Sequence, residues 1–236
     1  MLRDMFKHVC NSVILDIGSG FGRHTRLIYE VCDCYVVGID IEFDKLLKAK
    51  DLCKDCIIDF ICGDIACLPI RSSSIHGIVS ILVLHEVEES KINDVIREVW
   101  RILVDGASFL VIDKVLEKYG NPAEELVFLT ELAYHKAIEY VYRAKLWGLR
   151  KVEELVKRIV SRGFNVKYFD KIILGKWISG DEFLKHWGKK TLELLKKISN
   201  EDRRREIEGL VNKIRNTAKV YGYGPVRVVA IVFEKR

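Results

Sequence analysis

The sequence predicts an α/β fold built on a parallel sheet. Short apolar segments recur near residues 15, 38, 60, 80 and 110, with helix-type periodicity between them. Every connection among them is long enough for a crossover. The first segment runs straight into a glycine loop that opens a helix. At 236 residues and 49% hydrophobic composition, the chain can build one ordinary core or at most two small domains.

Residues 13–17 (VILDI) form the first strand and 18–22 (GSGFG) the loop. RHTRLIYEVC then reads as a helix, with Leu27, Ile28 and Val31 apolar. Residues 35–40 (YVVGID) form the second strand, and a short helix follows over Asp44 to Lys54. Residues 57–62 (IIDFIC) form the third strand. The run 75–84 (IHGIVSILVL) reads as a fourth, buried on both faces. A helix over 90–103 carries Ile92, Val95, Ile96 and Val99 at helical spacing. Asp105-Gly106 makes a turn into a fifth strand at 107–113. Beyond it, Pro122 with Glu124 and Glu125 opens a helical stretch to 146. A helix over 150–162, a strand over 164–174, a basic helical stretch over 180–218 and a strand over 226–234 complete the chain.

Charge is unevenly spread. Residues 1–113 carry 12 Lys and Arg against 18 Asp and Glu, while residues 114–236 carry 27 against 16. All seven cysteines lie between Cys10 and Cys67. The strand–helix rhythm continues across residue 113, so 1–236 is expected to form a single domain. The composition excludes a disordered or collagen-like chain. The first dozen residues lack a continuous apolar signal core, and no apolar run is long enough to span a membrane, so the chain reads as cytoplasmic. The odd cysteine count argues against a disulfide scaffold. A single bridge stays open as an alternative to ordinary buried thiols. Cys53, Cys56, Cys62 and Cys67 hold one zinc-like pair, but Cys62 falls on a strand with apolar neighbours. No metal is expected there.

The strongest motif is Asp16-Ile17-Gly18-Ser19-Gly20-Phe21-Gly22. Its glycines permit a tight turn and close approach of a ligand, and the helix behind it offers free N–H groups. Asp40 ends the second strand, where a carboxylate can accept both ribose hydroxyls or simply cap the next helix. Asp64 follows the third strand. It can accept from an exocyclic adenine amine while the Ile65 N–H reaches a ring nitrogen.

Here the chain resembles the class I S-adenosylmethionine-dependent methyltransferases, in the broad branch that acts on small molecules such as quinone precursors. VILDIGSGFG looks like that family's first motif and VVGIDI its second. CGDIACLPIRSSSIHGIVSILVLHEVEE looks like its adenine and fourth-strand motifs. The likeness is dense over 12–113 and thin beyond. It implies a doubly wound, Rossmann-like seven-stranded sheet with a C-terminal antiparallel strand pair and helical lid insertions. It implies S-adenosylmethionine as cofactor. Asp16 would orient the loop and the amino end of the cofactor, and Gly18, Gly20 and Gly22 would line its methionine part. Asp40 and Ile41 would flank the ribose, Asp64 and Ile65 the adenine, with Leu82 nearby. Val104-Asp105-Gly106-Ala107 departs from the family's usual Lys-Pro-Gly-Gly.

His85 and Glu86 follow the fourth strand, where the family places substrate contacts, and are the catalytic candidates. A neutral His85 could take a proton, bind substrate or fasten a loop. No Asn/Asp-Pro-Pro-Tyr motif and no cysteine follows that strand, which excludes two nucleic-acid and protein chemistries. Residues 116–147 form the expected substrate lid, and 176–224 a basic insertion between the last two strands. The second carries many lysines and arginines with an apolar stripe, which fits either a solvated helix face or a surface for RNA. The function expected is methyl transfer to a small molecule. The alternatives are a tRNA or rRNA methyltransferase and a non-catalytic scaffold that keeps the cofactor fold.

Overall fold

The computed structural model describes residues 2–236. Seven strands form one sheet in the order β3-β2-β1-β4-β5-β7-β6: β1 Val13–Ile17, β2 Tyr35–Asp40, β3 Ile58–Cys62, β4 Ile75–Ile81, β5 Leu103–Lys114, β6 Phe164–Leu174 and β7 Val226–Lys235. The first five are parallel. β7 runs antiparallel between β5 and β6. The chain winds outward from β1 to β3, then returns to start β4 on the other side of β1. A crevice therefore opens between β1 and β4 at the strands' carboxyl ends.

Helices α2 Arg23–Cys32, α3 Phe43–Leu52, α4 Ile92–Ile102 and α6 Val152–Val160 serve the sheet. Ile92, Val95, Ile96 and Val99 of α4 pack on one sheet face with Leu15, Ile78 and Phe109. Ile28 of α2 packs on the other face with Ile14, Val79 and Leu110. The described N-terminal residues add α1, Leu2–Phe6, which the sequence reading left unassigned; its Phe6 is fully buried in that second cluster.

Several boundaries correct the sequence reading. β4 stops at Ile81 because Leu82 turns into the left-handed region (φ +58°), and a 3₁₀ turn follows over Leu84–Glu86. β5 begins at Leu103, so Asp105-Gly106 is not a turn before the strand. It lies in an irregular stretch of it, where the register with β4 slips. The long helix α5 spans Pro122–Tyr142 and ends where Arg143 turns left-handed, not at 146. The stretch 180–218 is three helices: α7 Gly180–His186, α8 Lys189–Leu195 and α9 Glu201–Tyr221. Gly188 at φ +90° breaks the first pair, and the Asn200 side chain caps the third by accepting from Arg203 N. Helical periodicity persists through both breaks, which is why the sequence read as continuous.

The helices α5, α7, α8 and α9 pack on one another through Leu126, Leu129, Phe183 and Ile214, and through Ala137, Leu194, Ile207 and Val211. They form a helical layer with its own apolar core. Ion pairs of both polarities tie α5 to α9 there. Lys136 of α5 pairs with Glu206, and Lys213 of α9 with Glu125.

The cysteines settle one open alternative and differ from expectation at one point. Cys10 and Cys32 form a disulfide that ties the segment before β1 to the end of α2. Cys62 is exposed, not buried: its place on the sheet's β3 edge leaves one side uncovered. Among the described residues, no helix is long and apolar enough to cross a membrane.

Candidate active site

The crevice between β1 and β4 widens into a cleft of about 470 Å³, within the range of small-molecule sites. Gly18 forms its base. It sits at φ +71°, and a Cβ there would come within 2.3 Å of Val83. The loop after β1 can lie this close to the segment after β4 only without a side chain. Asp40 closes the next corner. One carboxylate oxygen accepts from Gly20 N (2.8 Å) and the other from Glu42 N (2.9 Å). These bonds fix the carboxylate while each oxygen keeps a lone pair for a further donor.

Across the cleft, Asp64 accepts from Ala66 N (2.9 Å) and pairs with Lys91 at 2.8 Å. The Lys91 hydrogen bond holds its carboxyl below the usual range. The neighbouring Ile65 N–H has no protein partner among the described residues. Ile41 is 67% exposed and lines the same cleft, an apolar surface left open to solvent. Fixed carboxylates at two strand ends, a free backbone donor, an apolar wall and a glycine base suit the ribose, the adenine and the extended tail of a nucleoside cofactor.

Seven of the residues read from the sequence as cofactor contacts line this cleft: Gly18, Gly20, Asp40, Ile41, Asp64, Ile65 and Leu82. Asp16 and Gly22 do not. Gly22 packs against Ala49 of α3 and Phe60 of β3. Asp16 is buried behind the loop, where it accepts from the Thr25 hydroxyl at 2.6 Å. Burial pushes its carboxyl up to about 7 against the pull of that hydrogen bond. Such a group favours the folded state below pH ~4, and the benefit is lost as pH rises through 7. D16N removes the ionisation. Its thermal unfolding midpoint should therefore rise relative to the natural chain between pH 5 and pH 8, with about 2–4 kcal/mol at stake. Parallel pH profiles would contradict this.

Lys91, Val83 and Leu146 line the cleft without having been picked out from the sequence. Lys91 offered a signal, a lysine at the start of a helix beyond the fourth strand. Leu146 offered none. It arrives because the segment after α5 hydrogen-bonds to the 3₁₀ turn, with Trp147 N donating to Val87 O (2.7 Å) and Gly148 N to His85 O (2.9 Å).

Residues 14–106 match the family model described as a methyltransferase domain. With the seven-stranded order and the cleft, this decides the architecture. The fold is that of the class I S-adenosylmethionine-dependent methyltransferases. S-adenosylmethionine is the cofactor this fold serves. The chain is 25% identical over 165 residues to a sterol 24-C-methyltransferase of Debaryomyces hansenii, covering 67% of this chain and 41% of that protein. It thus spans about two fifths of the length of that curated relative. Among solved structures it resembles the YcgJ protein of Bacillus subtilis (TM-score 0.66, 18% identity, 100% of this chain and 97% of that one). It also resembles geranyl diphosphate C-methyltransferase of Streptomyces coelicolor A3(2), solved with Mg2+, geranyl diphosphate and S-adenosyl-L-homocysteine (TM-score 0.59, 11% identity, 100% and 79%).

In this methyltransferase fold the 3₁₀ turn carries His85 and Glu86; Glu86 lines the cleft, whereas His85 does not. His85 is buried. Its Nδ1 lies 2.5 Å from Asp113 Oδ1, and its backbone N donates to Asp113 Oδ2 (3.2 Å). Burial alone would lower the His85 pKa. The Asp113 carboxylate outweighs it and raises the value above the ordinary one. Nε2 is buried without a hydrogen-bond partner, 3.8 Å from Glu131 Oε2 and 4.0 Å from Glu86 Oε1.

Glu131, on α5, pairs with Lys114 at the end of β5 and lies 3.3 Å from His135 Nε2. Burial would raise its carboxyl, but His135, Lys114 and His85 hold it down at about 2. His85, Glu86 and Glu131 are the group among the described residues whose donor atoms could converge on a metal. Lys114 already neutralises Glu131, however. Asp113 and Glu131 were missed from the sequence. An acid ending a central strand was the signal for Asp113.

Beyond Glu86 lies a second chamber of about 340 Å³, bounded by α5, the α7–α8 corner and Tyr223. Glu86 lines both cavities, so the chamber and the cleft are neighbours on either side of it.

Proposed function

We propose that this protein transfers the methyl group of S-adenosylmethionine to a small-molecule acceptor held in the chamber beyond Glu86. A nucleoside-sized cleft beside a separate, smaller chamber, with Glu86 lining both, carries the reading. When bound, the cofactor supplies an electrophilic methyl on a sulfonium. The chain's own residues orient, exclude water and move a proton. Gly18, Asp40, Asp64 and Ile65 hold the cofactor, and Asp16 steadies the loop from behind.

The helical segments 116–147 and 176–224 supply the chamber walls and keep water from the transfer. His85 is the base. Asp113 keeps the proton on Nδ1, so Nε2 accepts the proton that the acceptor gives up as its new bond to the methyl forms. Glu86 borders both the acceptor and the cofactor. The relatives' acceptors, sterols and geranyl diphosphate, make an apolar or terpenoid-like body a reasonable class.

Calorimetric titration with S-adenosylmethionine and S-adenosylhomocysteine tests the reading, with micromolar binding of both expected. No binding of either below millimolar would overturn it and favour the scaffold alternative. The RNA alternative has less support, because several basic side chains of the helical layer are engaged by carboxylates.

A further inference from the structure

The walls of the chamber beyond Glu86 differ in charge. Its inner end carries Glu86 and Glu131, with Glu131 paired to Lys114. Its lining at the α7–α8 corner carries His186, Lys189 and Lys190, none of them within ion-pairing distance of those acids. None of these three has an ion pair or a side-chain hydrogen bond among the described residues. Other lysines of the molecule do find carboxylates: Lys91 takes Asp64, Lys136 takes Glu206 and Lys145 takes Glu89. The two lysines are adjacent in the chain, and among the described residues no carboxylate lies within ion-pairing distance of either. The aromatic side chains of Tyr134, Trp187 and Tyr223 line the same chamber and give it flat apolar walls. Such a chamber is polarised. A ligand with a negative group at one end and an apolar body behind it gains at both ends, whereas a neutral ligand leaves the cations unanswered.

We propose that the α7–α8 corner is an anion-binding subsite. Lys189, Lys190 and His186 hold a phosphate or carboxylate of the acceptor and so turn its other end toward Glu86 and His85. The word acceptor rests on the methyl-transfer reading. The anion site itself does not, since its cations act on charge alone.

The test is calorimetric titration of the full chain with inorganic pyrophosphate and, in a separate arm, with malonate, each with and without S-adenosylhomocysteine. At least one anion should bind saturably at millimolar concentration or below, and the tighter arm names the phosphate or the carboxylate source. The K189Q/K190Q variant should lose at least tenfold in that affinity. R204A/R215A, which removes exposed charge from α9, should leave it unchanged. Absence of saturable binding in both arms overturns the subsite, and so does a loss that follows the α9 arginines instead. Both lysines are exposed, so the double variant is expected to fold, and its unchanged binding of S-adenosylhomocysteine verifies that. Failure of S-adenosylhomocysteine to bind the natural chain would count against the methyl-transfer reading and leave the anion result standing.

Discussion

Gly18→Ala should abolish cofactor binding and lower stability by about 2–5 kcal/mol. Two costs add. An L residue at φ +71° meets a backbone penalty of roughly 1–2 kcal/mol. The new Cβ would then lie 2.3 Å from Val83 Cγ2 and 2.8 Å from Cγ1. Both branches of the valine face the intruding atom, so no rotation about its χ1 removes both contacts. The backbone after β4 must retreat instead, at an overpacking cost of roughly 1–3 kcal/mol. That backbone carries Leu82 and leads into the turn of His85, so the displacement reaches the cofactor cleft and the proposed base together.

Gly20→Ala is the control. Its φ is also positive, but nothing lies closer than 4.0 Å to its Cβ. It should cost only the backbone penalty. Thermal unfolding and S-adenosylhomocysteine titration of the two variants should separate them clearly, with G18A losing at least a hundredfold in affinity. A G18A no worse than G20A would mean that the approach of Gly18 to Val83 is not a working contact.

The contrast between these neighbouring glycines explains what the sequence could reveal. The glycine run after an apolar strand and the acids at residues 40 and 64 are local features. Each follows its own strand, so strand periodicity alone carries them to the same end of the sheet. They duly line one cleft. Asp16 and Gly22 belong to the same run, yet they face the interior, because a loop this tight must bury some of its members. Which ones is decided by Thr25, Ala49 and Phe60, partners from other elements.

The helical layer was legible as helix but not as three helices. One glycine at residue 188 and one cap at Asn200 interrupt an apolar stripe that otherwise keeps its period. The His85 environment was least legible of all. His85, Asp113 and Glu131 come from three elements and meet only through packing. The apolar run 75–84 also hid the turn at Leu82 that aims His85 inward, since hydrophobic residues there suit a buried strand and a buried turn equally.

Asp113→Asn should lower turnover by about 10²–10⁴-fold, as much as His85→Ala, while leaving S-adenosylhomocysteine affinity within a few-fold of the natural chain. Asp113 lines neither the cleft nor the chamber and bonds to His85, whose Nε2 lies directly behind the chamber-lining carboxylates of Glu86 and Glu131, so Asp113 acts as a positioning residue through His85. Its two oxygens receive the imidazole Nδ1–H and the backbone N–H of His85, and Oδ1 also accepts from Lys114 N (2.8 Å). An asparagine has one oxygen for these donors. With that oxygen kept on the His85 backbone N–H, its NH₂ takes the Oδ1 position and faces Nδ1, which must then accept. The proton moves to Nε2, and the nitrogen beside the acceptor becomes a donor that can no longer take a proton.

The pH dependence separates this from simple loss of structure. In the natural chain Asp113 outweighs the effect of burial and raises the His85 pKa, so the free base is present above that raised value and activity falls as pH drops through it. Removing the carboxylate leaves burial, which disfavours the imidazolium. The residual activity of D113N should therefore fall away at a lower pH than in the natural chain. A merely structural Asp113 would lower activity at every pH without moving that midpoint. If D113N keeps more than a tenth of the natural turnover, or its midpoint stays in place, the proton does not leave through His85. The acceptor would then be one whose nucleophile needs no base, which the same fold can serve by alignment alone.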